Sequence, residues 1–225
     1  VYGIEKDYMN YDGWEKALEK SVKECDAILH VGAISDTMLQ DPNEMMKYNF
    51  EFSRILFDLA ETNGKKVVYS SSAANKGEGG HTPSNLYGWS KHLIDRYIMN
   101  QVYYQKKIPP QWVGLKFFNV YGPREAHKKS MASMPYHFNN QILKEGKCKL
   151  FEGYSGYENG EQKRDFIYVD DCVSVIIWFM QNPIKSWIFN VGTGKSRSIN
   201  QMAQCVLDWH KDKDKDKNYF IEYIP

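Results

Sequence analysis

The sequence predicts an α/β fold in which helices cover both faces of a doubly wound parallel sheet, with a smaller α/β domain after it. Short apolar runs of strand length alternate with helical patterns along the chain. Such alternation is typical of parallel sheets. Several runs end in serine or asparagine, and parallel sheets bind ligands at the carboxyl ends of their strands. We therefore expect functional residues at that edge of the sheet.

Six apolar runs predict strands, and one segment between them has the spacing of a helix with one buried face. The strands are Ala27 to Val31, Val67 to Ser70, Val113 to Phe118, Phe166 to Val169, Ile188 to Val191 and Phe220 to Tyr223. The apolar face of the helix comprises Met45, Tyr48, Phe52, Ile55, Leu56 and Leu59. After Pro123 the sequence becomes more polar, with several Met and His residues. We therefore expect a first domain over residues 1–123 and a second mainly over 124–225, with about 164–182 returning to the first sheet.

Charge and cysteine content narrow the class of protein. The 225 residues contain 29 Lys and Arg against 28 Asp and Glu, so no global field attracts nucleic acid or a membrane. The four cysteines are scattered without metal-ligand spacing, which predicts reduced, mostly buried thiols and no metal site. No apolar run could span a bilayer and no signal pattern starts the chain, which indicates a cytoplasmic location. The first residue is not Met, as expected for a piece of a longer protein.

The strongest chemical signal is Tyr87 followed four residues later by Lys91, downstream of the serine-ended run Val67 to Ala74. On a helix, residues i and i+4 share a face, so the Lys91 ammonium can lie beside the Tyr87 phenol. A serine from the strand end can approach from the other side. Holding a phenol as phenolate near neutrality requires its pKa to fall by about 3. A neighbouring cation and a bound, positively charged nicotinamide act in that direction. The pattern predicts an acidic tyrosine.

Two similar patterns do not predict function. Tyr103 and Lys107 have the same four-residue spacing, but no serine-ended strand precedes them. They are interpreted as the solvent-exposed end of the same helix. The run Gly192 to Ser196 resembles the end of a phosphate-binding P-loop, but Phe189 occupies the position of its first glycine. The glycine pattern of a dinucleotide-binding loop is absent from the sequence.

Two basic clusters flank an aromatic and glycine-rich loop in the second half of the chain. They consist of Arg124, Lys128, Lys129, Lys163 and Arg164. A diphosphate suits such clusters, because Arg binds phosphate oxygens with a planar fork while Lys binds them as a point charge.

With these residues identified, the chain resembles the extended short-chain dehydrogenase/reductases, and within them the ADP-L-glycero-D-manno-heptose 6-epimerases. The superfamily pattern consists of His30 to Ala33, Ser71 to Ala73, Tyr87 with Lys91, Phe118 to Arg124, and Arg164 to Asp171. The narrower pattern consists of Gly122 to Glu125, His127, Lys128, Ser130 to Ser133, His137, and Leu150 to Gly153. The resemblance covers nearly the whole chain.

The resemblance implies a Rossmann-like dinucleotide-binding domain over residues 1–123 and a substrate-binding domain mainly over 124–225. It implies Tyr87 and Lys128 as acid/base residues, Ser72 as the catalytic serine with Ser71 the weaker candidate, and Lys91 on the nicotinamide ribose. The implied cofactor-binding residues are Asp7, Val31, Gly32, Ala33, Ile34, Ser35, Asn49, Tyr87, Lys91, Val120 and Lys128. The implied substrate-binding residues are Asn119, Ser130, His137, Phe151, Glu152, Gly153, Tyr154 and Arg164.

The activity implied is inversion of C6 in ADP-glycero-manno-heptose by transient oxidation and re-reduction at bound NADP, with NAD possible. Such a reaction would supply heptose precursors of the lipopolysaccharide inner core. The resemblance also implies a homo-oligomer, namely a pentamer. The alternatives are another nucleotide-sugar epimerase or 4,6-dehydratase, or a non-catalytic sugar-nucleotide-binding protein. The chain departs from the family in three ways. The family's first strand, glycine loop, second strand and C-terminal end are missing from the sequence, and the loop over Ala74 to Ser84 is shorter. Lys76 stands where the family has tyrosine.

Overall fold

The computed structural model describes residues 9, 12–76, 82–104, 108–154, 156–183 and 185–225. These residues divide into two compact units, of which the first comprises residues 1–117 and 173–191. The second comprises residues 118–172 and 192–225.

The first unit is a parallel sheet with helices. Its strands are β1 (Ala27–His30), β2 (Lys66–Ser72), β3 (Trp112–Phe117) and β7 (Trp187–Val191). Its helices are α1 (Trp14–Glu24), α2 (Pro42–Met45), α3 (Phe52–Thr62), α4 (Leu86–Tyr103) and most of α6 (Val169–Gln181). The strand order is β1-β2-β3-β7, and all three pairings are parallel. Six of the seven β2 residues are buried, as expected for a strand covered on both faces.

One long helical run precedes β2 and carries a change of helix type. Asp41 caps its start by accepting from the backbone N–H groups of Asn43 and Glu44, and Pro42 takes the first helical position. Between α2 and α3 the backbone forms a π-helix over Met46–Glu51. Such single-turn insertions are frequent at functional sites. This one contains Asn49, whose side chain is buried.

The second unit contains two small sheets. Its strands are β4 (Asn119–Tyr121), β5 (Lys147–Phe151), β6 (Lys163–Tyr168), β8 (Ser196–Ser198) and β9 (Phe220–Ile224), and its helices are α5 (Met134–Glu145) and α7 (Ile199–Lys213). One sheet has the order β4-β6-β8 and the other pairs β5 with β9 in parallel. Ser198 and Gln201 form a capping box at the start of α7. The core packs Phe138 and Ile142 of α5 against Ala203 and Leu207 of α7.

All six predicted strands are confirmed, with ends shifted by up to three residues. The predicted helix is confirmed as the run from α2 to α3, whereas the short strands β4, β5 and β8 were not predicted. The structure draws the domain boundary differently from the prediction. Residues 173–191 return to the first unit, not 164–182, because β6 pairs with β4 and β8 whereas β7 pairs with β3.

The burial of the cysteines agrees in part with the sequence prediction. Cys148 and Cys172 are buried, Cys25 is half-buried and Cys205 is exposed; all four are free thiols. Among the described residues, no cluster of His, Cys, Asp or Glu could hold a metal ion. No helix in the described part of the chain is long and apolar enough to cross a membrane.

Candidate active site

The predicted catalytic residues of the first unit come together where β2 ends and α4 begins. Asn85 caps α4 by accepting from the backbone N–H of Gly88. The helix therefore begins at Leu86, one residue before Tyr87. The carbonyl of Ala74 lies so close to Gly88 that a Cβ there would clash with it. Glycine at position 88 therefore lets the first turn of α4 approach the segment that follows β2.

Tyr87 shares a side-chain hydrogen bond with Ser72. Ser72 is the last residue of β2 and caps the 3-10 turn Ala73–Asn75, because its Oγ accepts from Ala74 N at 3.1 Å. Burial raises the pKa of Tyr87, and the hydrogen bond from Ser72 offsets this only in part. The prediction of an acidic Tyr87 is therefore wrong for the protein by itself, because the phenol is desolvated and Lys91 is engaged elsewhere.

Lys91 is buried and binds the strand end, not the phenol. Its Nζ donates to the carbonyl oxygen of Ser70 at 2.8 Å and to Ser70 Oγ at 2.9 Å. Burial lowers the pKa of Lys91 to about 8, and the negative charge of Asp95 opposes this. An ammonium has three donors, so one remains for a ligand hydroxyl. Ser70 Oγ in turn donates to the carbonyl of Val31, in the loop after β1.

The two other serines of β2 have different surroundings. Ser71 Oγ donates to Asp95 Oδ2 at 2.8 Å, inside a buried polar cluster on the side of α4. Ser72 is the serine that contacts Tyr87. Because successive side chains of a strand point to opposite faces, Ser71 cannot approach the phenol as Ser72 does.

Asp95 is the centre of that buried cluster. It accepts from Tyr69 Oη at 3.0 Å and from Asn75 Nδ2 at 2.6 Å, and it lies 3.6 Å from Lys116 Nζ. Burial raises the pKa of Asp95, while hydrogen bonds from Ser71 and Tyr69 and the charges of Lys116 and Lys91 lower it in part. Sequence reasoning missed Asp95, although it continues the four-residue spacing of Tyr87 and Lys91 along α4.

The predicted cofactor loop, Val31 to Ser35, follows β1. Val31, Gly32, Ala33 and Ser35 are exposed, and Ile34 is half-buried. Asn49 holds this loop with two hydrogen bonds, accepting from Ile34 N at 2.8 Å and donating to Ile34 O at 2.9 Å. Asn49 also donates to Ser90 Oγ of α4. Asn49 is 1% exposed, and its side-chain amide is hydrogen-bonded to this loop and to Ser90, so it positions the loop predicted to line the cofactor.

The remaining predicted residues lie in the second unit, except Asp7, which lies outside the described residues. Lys128, Ser130 and Asn119 are exposed, and His137 hydrogen-bonds the Ser130 carbonyl at 3.2 Å. Val120 is half-buried in β4. The last residue of β5 and the three residues that follow it are exposed: Phe151, Glu152, Gly153 and Tyr154. Arg164 is half-buried in β6, and its Nη1 donates to the Lys163 carbonyl.

The run that resembles a P-loop binds a carboxylate of the chain itself. Asp165 accepts from Thr193 N at 3.0 Å, from Thr193 Oγ1 at 2.6 Å and from Gly194 N at 2.8 Å. Burial acts to raise the pKa of Asp165, but these hydrogen bonds outweigh it and lower the pKa. The rejection of a phosphate-binding loop agrees with this geometry, because the backbone N–H groups already have an anionic partner.

A sequence profile of the NAD dependent epimerase/dehydratase family matches residues 2–192. The chain belongs to this family. It is 40% identical to an ADP-L-glycero-D-manno-heptose-6-epimerase of Alkalilimnicola ehrlichii, over 97% of the chain and 69% of that protein. It is 42% identical to the enzyme of the same name from Thiobacillus denitrificans, over 90% of the chain and 63% of that protein. These relatives confirm the narrower resemblance. The chain spans about two thirds of their length.

Solved structures agree with this assignment. The crystal structure of Helicobacter pylori ADP-L-glycero-D-manno-heptose-6-epimerase superimposes with a TM-score of 0.80 at 30% identity, over 96% of the chain and 66% of that structure. A UDP-N-acetylglucosamine 4-epimerase of Methanobrevibacter ruminantium, in complex with UDP-N-acetylmuramic acid, gives a TM-score of 0.79 at 26% identity over 98% of the chain and 69% of that structure. The predicted Rossmann-like fold is confirmed.

Proposed function

We propose that this chain forms most of an ADP-glycero-manno-heptose 6-epimerase, which inverts C6 of the heptose by oxidation and re-reduction at NADP. The observation that carries the proposal is the group of Ser72, Tyr87 and Lys91 at the end of β2, in a chain 40% identical to an enzyme of that name. A non-catalytic sugar-nucleotide-binding protein would not need this arrangement.

The residues present suit a nicotinamide nucleotide. Lys91 keeps one donor for a ribose hydroxyl after binding Ser70, and the loop Val31 to Ser35 exposes backbone at the carboxyl end of β1. When bound, the oxidised cofactor supplies a hydride acceptor that can return the same hydride. NADP, not NAD, is proposed from the resemblance to the heptose epimerases.

Epimerisation through a ketone needs two proton transfers. Tyr87 would act as the phenolate, a form that the positive charge of the bound oxidised cofactor would favour against the burial that raises its pKa. It takes the proton of the C6 hydroxyl as the hydride leaves C6, and Ser72 donates a hydrogen bond to the carbonyl oxygen that forms. When the hydride returns to the opposite face, Lys128 gives a proton to that oxygen and becomes a neutral amine. One hydride and one proton leave the substrate and one of each is restored, so the product is an isomer. Tyr87 then loses a proton to solvent and Lys128 regains one, which restores both groups for the next turnover.

The substrate is proposed to be an ADP-heptose bound by polar residues of the second unit. Arg164 and His137 are candidates for the diphosphate, and Asn119 and Ser130 for the sugar. The exposed residues Phe151 to Tyr154 add an aromatic surface. A homo-oligomer is proposed from the resemblance alone.

Isotope labelling tests the redox route. Substrate deuterated at C6 is expected to give product that keeps its label, and reactions in heavy water are expected to place no deuterium at C6. Solvent deuterium at C6 would instead show that a carbon-bound proton is removed, which would end the proposal. Product with a ketone at C4 and no hydroxyl at C6 would favour the 4,6-dehydratase alternative.

The role of Lys128 has a separate test. Lys128→Met is expected to block interconversion of the two epimers while hydride exchange between cofactor and one epimer continues in a single turnover. Full epimerase activity in this variant would remove Lys128 from the mechanism and leave the redox route intact. Lys144→Met, at an exposed lysine of α5 in the same unit, is the matched control.

A further inference from the structure

A buried carboxylate organises the segment that carries Lys128. Glu125 is 5% exposed and lies within the segment Gly122 to Ser133. Its Oε1 accepts from Gly122 N at 3.0 Å and from Ser133 Oγ at 2.7 Å. Its Oε2 accepts from Ser133 N at 2.8 Å and lies 3.4 Å from Lys128 Nζ. One side chain therefore joins both ends of the segment and contacts the lysine between them.

The backbone of this segment adopts conformations that L-residues rarely take. Arg124 has φ 66° and Lys129 has φ 51° with ψ −121°, and these are the described non-glycine residues with positive φ. A non-glycine residue in this conformation is strained and persists only where surrounding contacts hold it. The two residues stand on either side of Lys128. The four Glu125 side-chain contacts restrain the segment at both ends, in addition to the backbone hydrogen bonds from Lys128 N to Glu125 O and from Ala132 N to Lys129 O.

The groups that face Glu125 include both neutral hydrogen-bond donors and one charged side chain. Gly122 at the end of β4 and Ser133 at the start of α5 present N–H and O–H dipoles, and Lys128 presents the charge. Burial acts to raise the pKa of Glu125, but the Ser133 and Gly122 hydrogen bonds and the Lys128 charge outweigh it and lower the pKa. The carboxylate is thus ionised near neutrality, in a place where an unpaired charge would be costly.

We propose that Glu125 is a positioning residue for Lys128, holding the strained segment Gly122 to Ser133 in the shape that presents the Lys128 ammonium as proton donor. The inference rests on the proposed function. Lys128 uses one of its three N–H donors on Glu125, which leaves two for the substrate oxygen. A proton donor must be held close to the atom it serves, and a displacement of about 1 Å can reduce rate on the order of 10²-fold.

Amide hydrogen exchange tests the anchoring without any ligand. Glu125→Gln replaces one acceptor oxygen with an NH₂ group, so either the Gly122 or the Ser133 amide loses its partner. Exchange at the amide that loses its partner is expected to accelerate, while exchange in α7 stays as in the wild type. Glu145→Gln is the control, because Glu145 lies in the same unit and pairs with Lys149 at the surface. Unchanged exchange at both amides in Glu125→Gln would overturn the proposal.

Single-turnover kinetics test the catalytic part. Glu125→Gln is expected to lower epimer interconversion on the order of 10²-fold. Hydride exchange with the epimer that Tyr87 serves is expected to continue, as in Lys128→Met, and Glu125→Asp should recover part of the lost rate. Equal loss of exchange with both epimers would show a general structural role and overturn the proposal, as would interconversion at the wild-type rate.

Two further outcomes keep the proposals distinguishable. If Glu125→Gln does not fold, Ser133→Ala removes one hydroxyl donor from Glu125 and carries the same test, with a smaller face-selective loss expected. If the wild-type protein interconverts no heptose epimers, the proposed function fails, and amide exchange still decides whether Glu125 anchors the segment around Lys128.

Discussion

Lys91 donates from one ammonium to both the carbonyl and the hydroxyl oxygen of Ser70, at 2.8 and 2.9 Å. This pair ties α4 to the end of β2, and Ser70 extends the connection to the loop after β1 by donating to Val31. The lysine that the family pattern places on the nicotinamide ribose is thus fixed by the strand that also carries Ser72.

The buried position of Lys91 predicts a pH-dependent stability. Its folded pKa of about 8 lies below the ordinary lysine value of about 10.4. Between these values the unfolded chain binds a proton that the folded chain does not, so stability rises with pH across this window. Relative to Lys91→Met, the wild type should gain stability from pH 8 to 10, by at most on the order of 3 kcal/mol. Urea unfolding at several pH values measures this.

The control for this titration is Lys195→Met, at an exposed lysine of the second unit. It should follow the wild-type stability curve across the same pH range. A constant difference between wild type and Lys91→Met from pH 7 to 10 would contradict the depressed pKa.

The Tyr87 hydroxyl is expected to matter for turnover and little for stability. Tyr87→Phe removes one oxygen that hydrogen-bonds Ser72 and carries the proton in the proposed reaction. Turnover should fall by about 10²–10⁴-fold, the usual contribution of general acid–base catalysis, while the thermal midpoint changes little. Tyr103→Phe, an exposed tyrosine with the same spacing to a lysine, is the control. Near-normal turnover of Tyr87→Phe would exclude it from the chemistry.

Asp95 is expected to stabilise the first unit strongly. Asp95→Ala leaves Lys116 without its ion partner and leaves Tyr69, Ser71 and Asn75 without their shared acceptor. Breaking a buried pair in this way should lower the free energy of unfolding by about 3–5 kcal/mol, because uncompensated polar groups remain buried. Denaturant unfolding measures the change. Glu24→Ala, at a solvent-exposed ion pair with Lys20, should have little effect. Similar stabilities for both variants would show that the cluster contributes little.

Arg164 is expected to bind the diphosphate of the proposed substrate. Arg164→Ala should weaken binding of ADP by about 1.5–3 kcal/mol, the range for a hydrogen bond to a charged group. Arg164→Lys should restore part of this, because lysine keeps the charge and lacks the planar fork. Arg197→Ala, at the residue paired with Arg164 across β6 and β8, is the matched control. Identical affinities of wild type, Ala and Lys variants in calorimetry would show that Arg164 does not touch the ligand.

The local periodicity of the sequence determined the main elements. Apolar runs located six strands, and the i, i+4 spacing placed Tyr87 and Lys91 on one helix. These features depend on neighbouring residues, so a single sequence reveals them. Lys128 was identified as a candidate by the resemblance to the heptose epimerases. Strands of three residues such as β4 and β8 are too short to show a periodic pattern. Their pairing with β6 also depends on residues distant in the chain, which local patterns do not reveal.

Only the tertiary structure decided which partners the polar groups take. It placed Lys91 on Ser70 instead of the Tyr87 phenol, and Ser72 instead of Ser71 beside that phenol. It also decided which donors bind the buried or partly buried carboxylates. Asp95 and Asp165 accept hydrogen bonds from residues distant in the chain, and Glu125 accepts them from its own local segment. Desolvation explains why the sequence misjudged the Tyr87 pKa. A residue pattern shows which charges are nearby, whereas burial depends on everything that packs around the group.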